Sequence, residues 1–252
     1  MKKITSLVLM ACVLISSIFA LTSCFHTCEF EEAWSTDASY HYHACTNKNC
    51  EKMSDTAEHI WDDGVITTKP TQEKRGLMTF TCTECEYTRK EAVEFTGLDE
   101  EDWAAALTNA TFANFTYVEE ASVNSNGIEV STVATYMFTE GKAYAAVTIG
   151  GKTTSDTATG DQADITRKDM ARSIRTMLDH SEFTYDAEKK VYNLTGEAYI
   201  SSLGTYADTM VITFENGRIV EIFYTCEIES SGVTMECEAT ITISDYGTTE
   251  IK

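Results

Sequence analysis

From about residue 112 onward, apolar and polar side chains exchange places at every second position, the period of a half-buried strand. Segments 112–121, 127–139, 142–150, 182–187, 190–200, 205–215, 218–229 and 233–244 carry this pattern. They are rich in Thr, Val, Ile and Tyr, and Pro70 is the single proline of the chain. Two stretches have helical spacing instead. Residues 98–112 open on Asp99, Glu100, Glu101 and Asp102, acids suited to a helix N-terminus, and continue with Trp103, Leu107 and Ala110. In 166–180, Met170, Ile174, Met177 and Leu178 form one apolar stripe, which reads as core rather than ligand surface. His180 ends this expected helix, where a cation suits the dipole and a capping role outweighs catalysis.

The alternation is regular enough to set register. A two-residue turn at Ser231-Gly232 pairs residue i with residue 463 − i and brings apolar faces together throughout. It places Cys226 opposite Cys237, at a ladder position where disulfide geometry is attainable, so the pair is either a cross-strand disulfide or two buried thiols. The disulfide, acting as a staple, is the reading adopted. Upstream, Met210, Ile212 and Phe214 face the strand 218–229 correctly only if the loop is Glu215-Asn216-Gly217, with glycine at the left-handed position. Consecutive hairpins plus two helices predict an α+β fold over residues 96–252, a curved antiparallel sheet packed with about two helices.

The first residues are different. Lys2 and Lys3 precede an apolar run from Leu7 to Leu21, which ends in Leu21-Thr22-Ser23-Cys24. A basic start, a short apolar core and small residues at the end have the form of a secretory signal. The Leu-x-Ser-Cys close resembles the signal of bacterial lipoproteins. That resemblance implies cleavage before Cys24, a diacylglycerol thioether on its sulfur, and an exported chain tethered to the outer face of the membrane. Residues 1–23 are then the signal and the membrane is one partner, reached through Cys24. Removal of the two lysines takes the net charge from −21 to −23. Such a surface repels nucleic acid and anionic headgroups.

Chemistry concentrates before Phe95, which holds four of the five histidines and five of the seven cysteines that remain beyond Cys24. An odd number of thiols leaves at least one unpaired, or some bound to metal. Cys45-x4-Cys50 and Cys82-x2-Cys85 can supply four thiolates to one structural zinc, with His43 and His59 as alternative ligands or supporting groups. Local disulfides are the competing reading, but loops this short constrain the unfolded chain little. His26 and Cys28 fall next to the anchor; they could extend the metal site, but a flexible tether is the preferred reading.

The order Trp34, His41-Tyr42-His43-x-Cys45, His59-Ile60-Trp61-Asp62-Asp63-Gly64, then Thr81-Cys82-Thr83-Glu84-Cys85, resembles a Cys/His repeat of exported proteins from anaerobic bacteria. The resemblance spans about residues 26–95 and implies a zinc-ribbon-like β module within 24–95, not a catalyst. Glu86 stands where the repeat has a glycine, at a position where the knuckle favours a positive φ. In the larger domain, the order helix, hairpins, helix and long meander, ending in Asp245-Tyr246-Gly247-Thr248-Thr249, resembles half-barrel lipoproteins of the lipoprotein-carrier-like class. This implies a concave apolar surface.

No phosphate loop or nucleophile elbow is present, and Glu58-His59 lacks the second histidine of a zincin helix. The expectation is a non-enzymatic, lipid-anchored envelope protein that binds an apolar ligand or another envelope component. A purely structural or adhesive surface lipoprotein is the alternative, and a metal-dependent hydrolase stands third.

Overall fold

The computed structural model describes residues 26–251; the signal segment and Cys24 lie outside the described residues. The chain divides into two compact units, one running to Pro70 with Gly76–Val93, the other comprising Thr71–Arg75 and everything from Glu94. Among the described residues, no helix is long and apolar enough to cross a membrane.

The first unit is two small antiparallel sheets. One contains β1 (Ser35–Thr36), β2 (Tyr40–Ala44) and β3 (Met53–Glu58), in that order; the other contains β4 (Val65–Thr68), β5 (Gly76–Thr81) and β6 (Thr88–Val93). Asp37 makes the first turn, its carboxylate accepting from the Ser39 and Tyr40 N–H groups at 2.7 and 2.9 Å. Isolated bridges extend the sheets at their cysteine ends: Phe30 pairs with Cys45, and Trp61 with Cys82.

The second unit has the expected α+β architecture: helices α1 (Glu100–Ala106) and α2 (Asp161–Met177), and one ten-stranded antiparallel sheet. Its strands are β7 (Phe115–Ser125), β8 (Ile128–Thr139), β9 (Lys142–Ile149), β10 (Lys152–Thr159), β11 (Phe183–Asp186), β12 (Val191–Leu194), β13 (Tyr199–Ile200), β14 (Thr205–Glu215), β15 (Arg218–Ser230) and β16 (Val233–Ser244). The spatial order is β10-β9-β8-β7-β16-β15-β14-β12-β11, with β13 pairing β14. Helix α2 packs on β9 and β10 near one edge and also on β13 near the other, so the sheet curls around it. Trp103 of α1 is 3% exposed; its indole N–H donates to the Leu178 carbonyl at 3.1 Å, and its ring meets Phe183, Tyr192 and Phe214.

Several expectations need correction. Segment 152–159 is a strand that alternation does not reveal, because nearly every side chain on it is exposed. Helix α2 begins at Asp161, five residues before the apolar stripe suggests, and ends at Met177. His180 therefore does not cap it; it sits in the following turn, with Nε2 hydrogen bonded to the Leu98 carbonyl at 3.0 Å.

The β15–β16 register is the one set by Ser231-Gly232, and Cys226 faces Cys237. The two are nevertheless buried free thiols and not a disulfide. The β14–β15 loop is also shorter than expected. Glu215 pairs with Arg218 across a two-residue turn, with Asn216 at φ 51° and Gly217 at φ 70°. A bulge then absorbs one residue, since Thr213 pairs with Glu221 while Phe214 pairs with Ile219. Val220 is the extra residue, and the bulge restores the apolar face that a regular two-residue hairpin would turn outward.

Candidate metal centres and a cleft under the long helix

Described cysteines and histidines of the first unit assemble into two groups rather than one. His26, Cys28, Cys45 and Cys50 form the first, and His41, His59, Cys82 and Cys85 the second; within each, the ligand atoms lie within 4.8 Å of one another. The four thiols expected around a single ion are thus divided between two sites. The pair Cys45–Cys50 is completed by His26 and Cys28, and the pair Cys82–Cys85 by His41 and His59. Of the two alternative ligands, His59 is in the second group. His43 is in neither: its ring stacks on Trp34 with centroids 4.0 Å apart, and its Nδ1 hydrogen bonds to the Ala33 carbonyl.

Local backbone explains each group. In the first, the chain before β1 runs antiparallel to the end of β2. Thr46 N–H donates to the Glu29 carbonyl at 2.9 Å and Glu31 N–H to the Ala44 carbonyl at 2.9 Å, bringing His26 and Cys28 alongside Cys45. A turn closed by Cys50 N–H on the Asn47 carbonyl, 2.9 Å, returns the fourth thiol. In the second, the knuckle is closed by Glu86 N–H donating to the Cys82 carbonyl at 3.0 Å, with Glu86 at φ 61°. The Asp62 carboxylate accepts from the Gly64 and Thr81 N–H groups at 3.1 and 2.9 Å, tying the segment after His59 to the end of β5.

The separations suit a tetrahedral ion. Zinc bonds of about 2.3 Å to sulfur and 2.0–2.1 Å to nitrogen give tetrahedron edges of roughly 3.8 Å between sulfurs and 3.5 Å between sulfur and nitrogen. In the first group, His26 Nε2 is 3.3 Å from Cys45 Sγ and 3.5 Å from Cys28 Sγ, and the Cys28 and Cys50 sulfurs are 3.6 Å apart. In the second, Cys82 Sγ is 3.7 Å from His41 Nδ1 and Cys85 Sγ is 3.4 Å from His59 Nδ1. His59 Nε2 donates to the Asp37 carbonyl at 2.9 Å, which fixes the tautomer with Nδ1 free to ligate. Stacking on Tyr87, with centroids 4.8 Å apart, holds the ring.

Electrostatics point the same way. Burial opposes the Cys82 thiolate, but the Glu84 and Cys85 backbone N–H groups, with His59, outweigh it and bring its pKa down to about 6. Burial and the neighbouring thiols push Cys28 up to about 11, while the Asn47 backbone N–H lowers Cys45. Burial likewise raises Cys85, so each group holds one thiolate-favouring sulfur beside a reluctant one, the state of a thiol cluster whose protons a cation would displace.

The second unit carries a separate feature, a cleft of ≈ 340 Å³ between α2 and the concave face of the sheet. Ile174 and Met177 of α2, Ile241 of β16 and the rings of Tyr117, Tyr136 and Tyr224 line it. Alternation on β7 brings Glu119 into this face, two residues after Tyr117 and beside Ile241. Tyr117 and Tyr224 hydroxyls donate to its two carboxylate oxygens at 3.2 and 2.9 Å. Burial, then the Glu119 charge, holds both phenols well above their usual pKa.

The sequence pointed to the cysteine pairs and to His59; it offered His26 and Cys28 as an extension of the metal site but favoured a tether, which the first group corrects, and it did not single out His41 as a ligand. One signal was available: nine thiol and imidazole donors stand between His26 and Cys85, more than twice what one tetrahedron takes. No family model matches the chain, and no curated protein matches it.

Proposed function

We propose that this chain is a non-enzymatic, lipid-anchored envelope protein whose first unit is held together by two structural zinc ions and whose second unit binds a small apolar molecule. The observation that carries the metal reading is what the first unit buries. Between residues 26 and 93, the buried positions are His41, Cys45, His59, Gly76 and Cys82, so four of the five are candidate ligands. A unit with no apolar core needs another source of folding free energy, and ligation supplies it. Mixed thiolate and imidazole donors suit Zn²⁺. Each group provides four protein ligands, which closes the coordination sphere and leaves no position for a reacting water. This favours a structural role over the hydrolase alternative. The cleft under α2 favours ligand binding over a purely adhesive role. Export and acylation of Cys24 follow from the Leu21–Cys24 box.

Metal analysis of the purified mature chain tests this: two zinc ions per chain are expected, and one after Cys28→Ser with Cys50→Ser, or after Cys82→Ser with Cys85→Ser. Cobalt substitution should show two sets of tetrahedral ligand-field bands, one with three sulfurs and one with two. Wild-type protein without bound metal, with its thiols paired as disulfides by mass, overturns the metal reading. An unmodified N-terminal peptide from native membranes overturns the anchor.

A further inference from the structure

We propose that the cleft under α2 selects a hydrophobic amine, an ammonium group carried on an apolar body, with Glu119 as its counter-ion. This rests on the reading of the cleft as a ligand site and names the chemistry that site accepts.

Tyr117, Ala121 and Val123 pack with the core on the concave face of β7, and Glu119 interrupts them at a position where alternation calls for an apolar side chain. A carboxylate on such a face is costly unless its charge is matched. Two tyrosine hydroxyls satisfy it in part. A carboxylate has about four acceptor positions, so about two remain. Among the described residues, no Lys, Arg or His lines the cleft; Asp169 is a second acid at it, already paired with Arg172 at 3.0 Å, so Glu119 is the carboxylate left for a ligand. The inner walls are aliphatic, from Met170, Ile174 and Ile200, or aromatic, and uncharged polar side chains such as Gln162, Thr166 and Ser201 complete the lining.

The Glu119 carboxylate and the aromatic rings favour a cation over an anion, while the hydroxyl and amide groups of the lining discriminate between neither. An ammonium group donates three hydrogen bonds and meets a carboxylate in charge-assisted geometry. The faces of Tyr117, Tyr136 and Tyr224 add cation–π attraction. A fatty acid of the same length would set its carboxylate beside Glu119 with no compensating cation. The volume, ≈ 340 Å³, fits a small amphiphile and not a phospholipid.

The experiment is calorimetric titration of the zinc-loaded mature chain at physiological salt with three ligands of equal length: octylamine, octan-1-ol and octanoate. Octylamine should bind roughly tenfold more tightly than octan-1-ol, the value of one charge-assisted pair, and octanoate should not bind. Glu119→Gln, close in shape, should lower octylamine affinity roughly tenfold and leave octan-1-ol within about twofold. Ser173→Trp, on the exposed rim of the cleft, should remove binding of both. Equal binding of amine and alcohol, preference for octanoate, or an amine affinity indifferent to Glu119→Gln overturns the amine assignment while leaving the cleft a ligand site. Failure of all three ligands to bind overturns the ligand-site reading and this inference with it.

Discussion

At the scale of single residues, chemical type was legible and partnership was not. The spacing of Cys82 and Cys85 marks a knuckle, but only the fold shows that His41 and His59 join it: β2–β3 pairing sets His41 beside the end of β3, and the Trp61–Cys82 bridge ties the segment after His59 to the knuckle. Cys226 and Cys237 show the converse: the register was readable to the residue, yet proximity alone did not make a disulfide. Glu86 occupies the left-handed region, where a side chain is strained and glycine is not. Glu86→Gly is expected to stabilise the zinc-loaded first unit by about 1 kcal/mol, read as a higher midpoint in chelator-free thermal unfolding. The Cys226 thiol, pushed by burial up to about 12 from its usual 9.0, stays protonated in the fold, and Tyr117 and Tyr224 behave likewise. Above pH 9 the unfolded chain therefore binds fewer protons than the folded one, and stability of the second unit falls from there toward pH 12, with no such loss below pH 9. Urea unfolding followed at pH 8, 9.5 and 10.5 checks the sign: the midpoint should drop between the last two.

At the scale of elements, period-2 alternation located strands that bury one face and failed where both faces meet water. Strand β10 is built from Lys152, Thr153, Thr154, Ser155, Asp156 and Thr157, all exposed, so no apolar rhythm marks it. The turn at Asn216-Gly217 escapes alternation for a related reason. Alternation requires one extra residue between the faces but does not say whether the loop or the strand supplies it, and here the strand does, at Val220. Deleting Val220 is thus more disruptive than an exposed-loop deletion. The ladder must slip, and either Ile219 or Ile222, both fully buried, leaves the core. A loss of several kcal/mol is expected in denaturant unfolding, against less than about 1 kcal/mol for Val220→Thr, which keeps the bulge.

At the scale of the whole molecule, the proposed metal reading gives the two units different sources of stability. All members of the large apolar cluster, from Trp103 and Phe112 to Ile241 and Ile243, belong to the second unit. The first unit buries chiefly its candidate ligands. Calorimetry of the intact chain should accordingly show two transitions. A strong zinc chelator should abolish one and leave the other within a degree or two, because folding and ligation are the same equilibrium only in the first unit. A single transition, insensitive to chelator, would contradict this division. The α+β architecture was readable because hydrophobic patterning dominates the larger unit. The two-site arrangement was not, because nothing periodic records which donors meet.

The open sheet also has consequences for crowding. It ends on β10 at one margin and on the four-residue β11 at the other. A margin of hydroxyls with a lysine and an aspartate offers a neighbouring copy hydrogen bonds but no grease, and a stub of four residues offers little length. Molecules packed side by side at high concentration should therefore slide past one another instead of zipping into continuous ribbons, and concentrated solutions should scatter light as single particles.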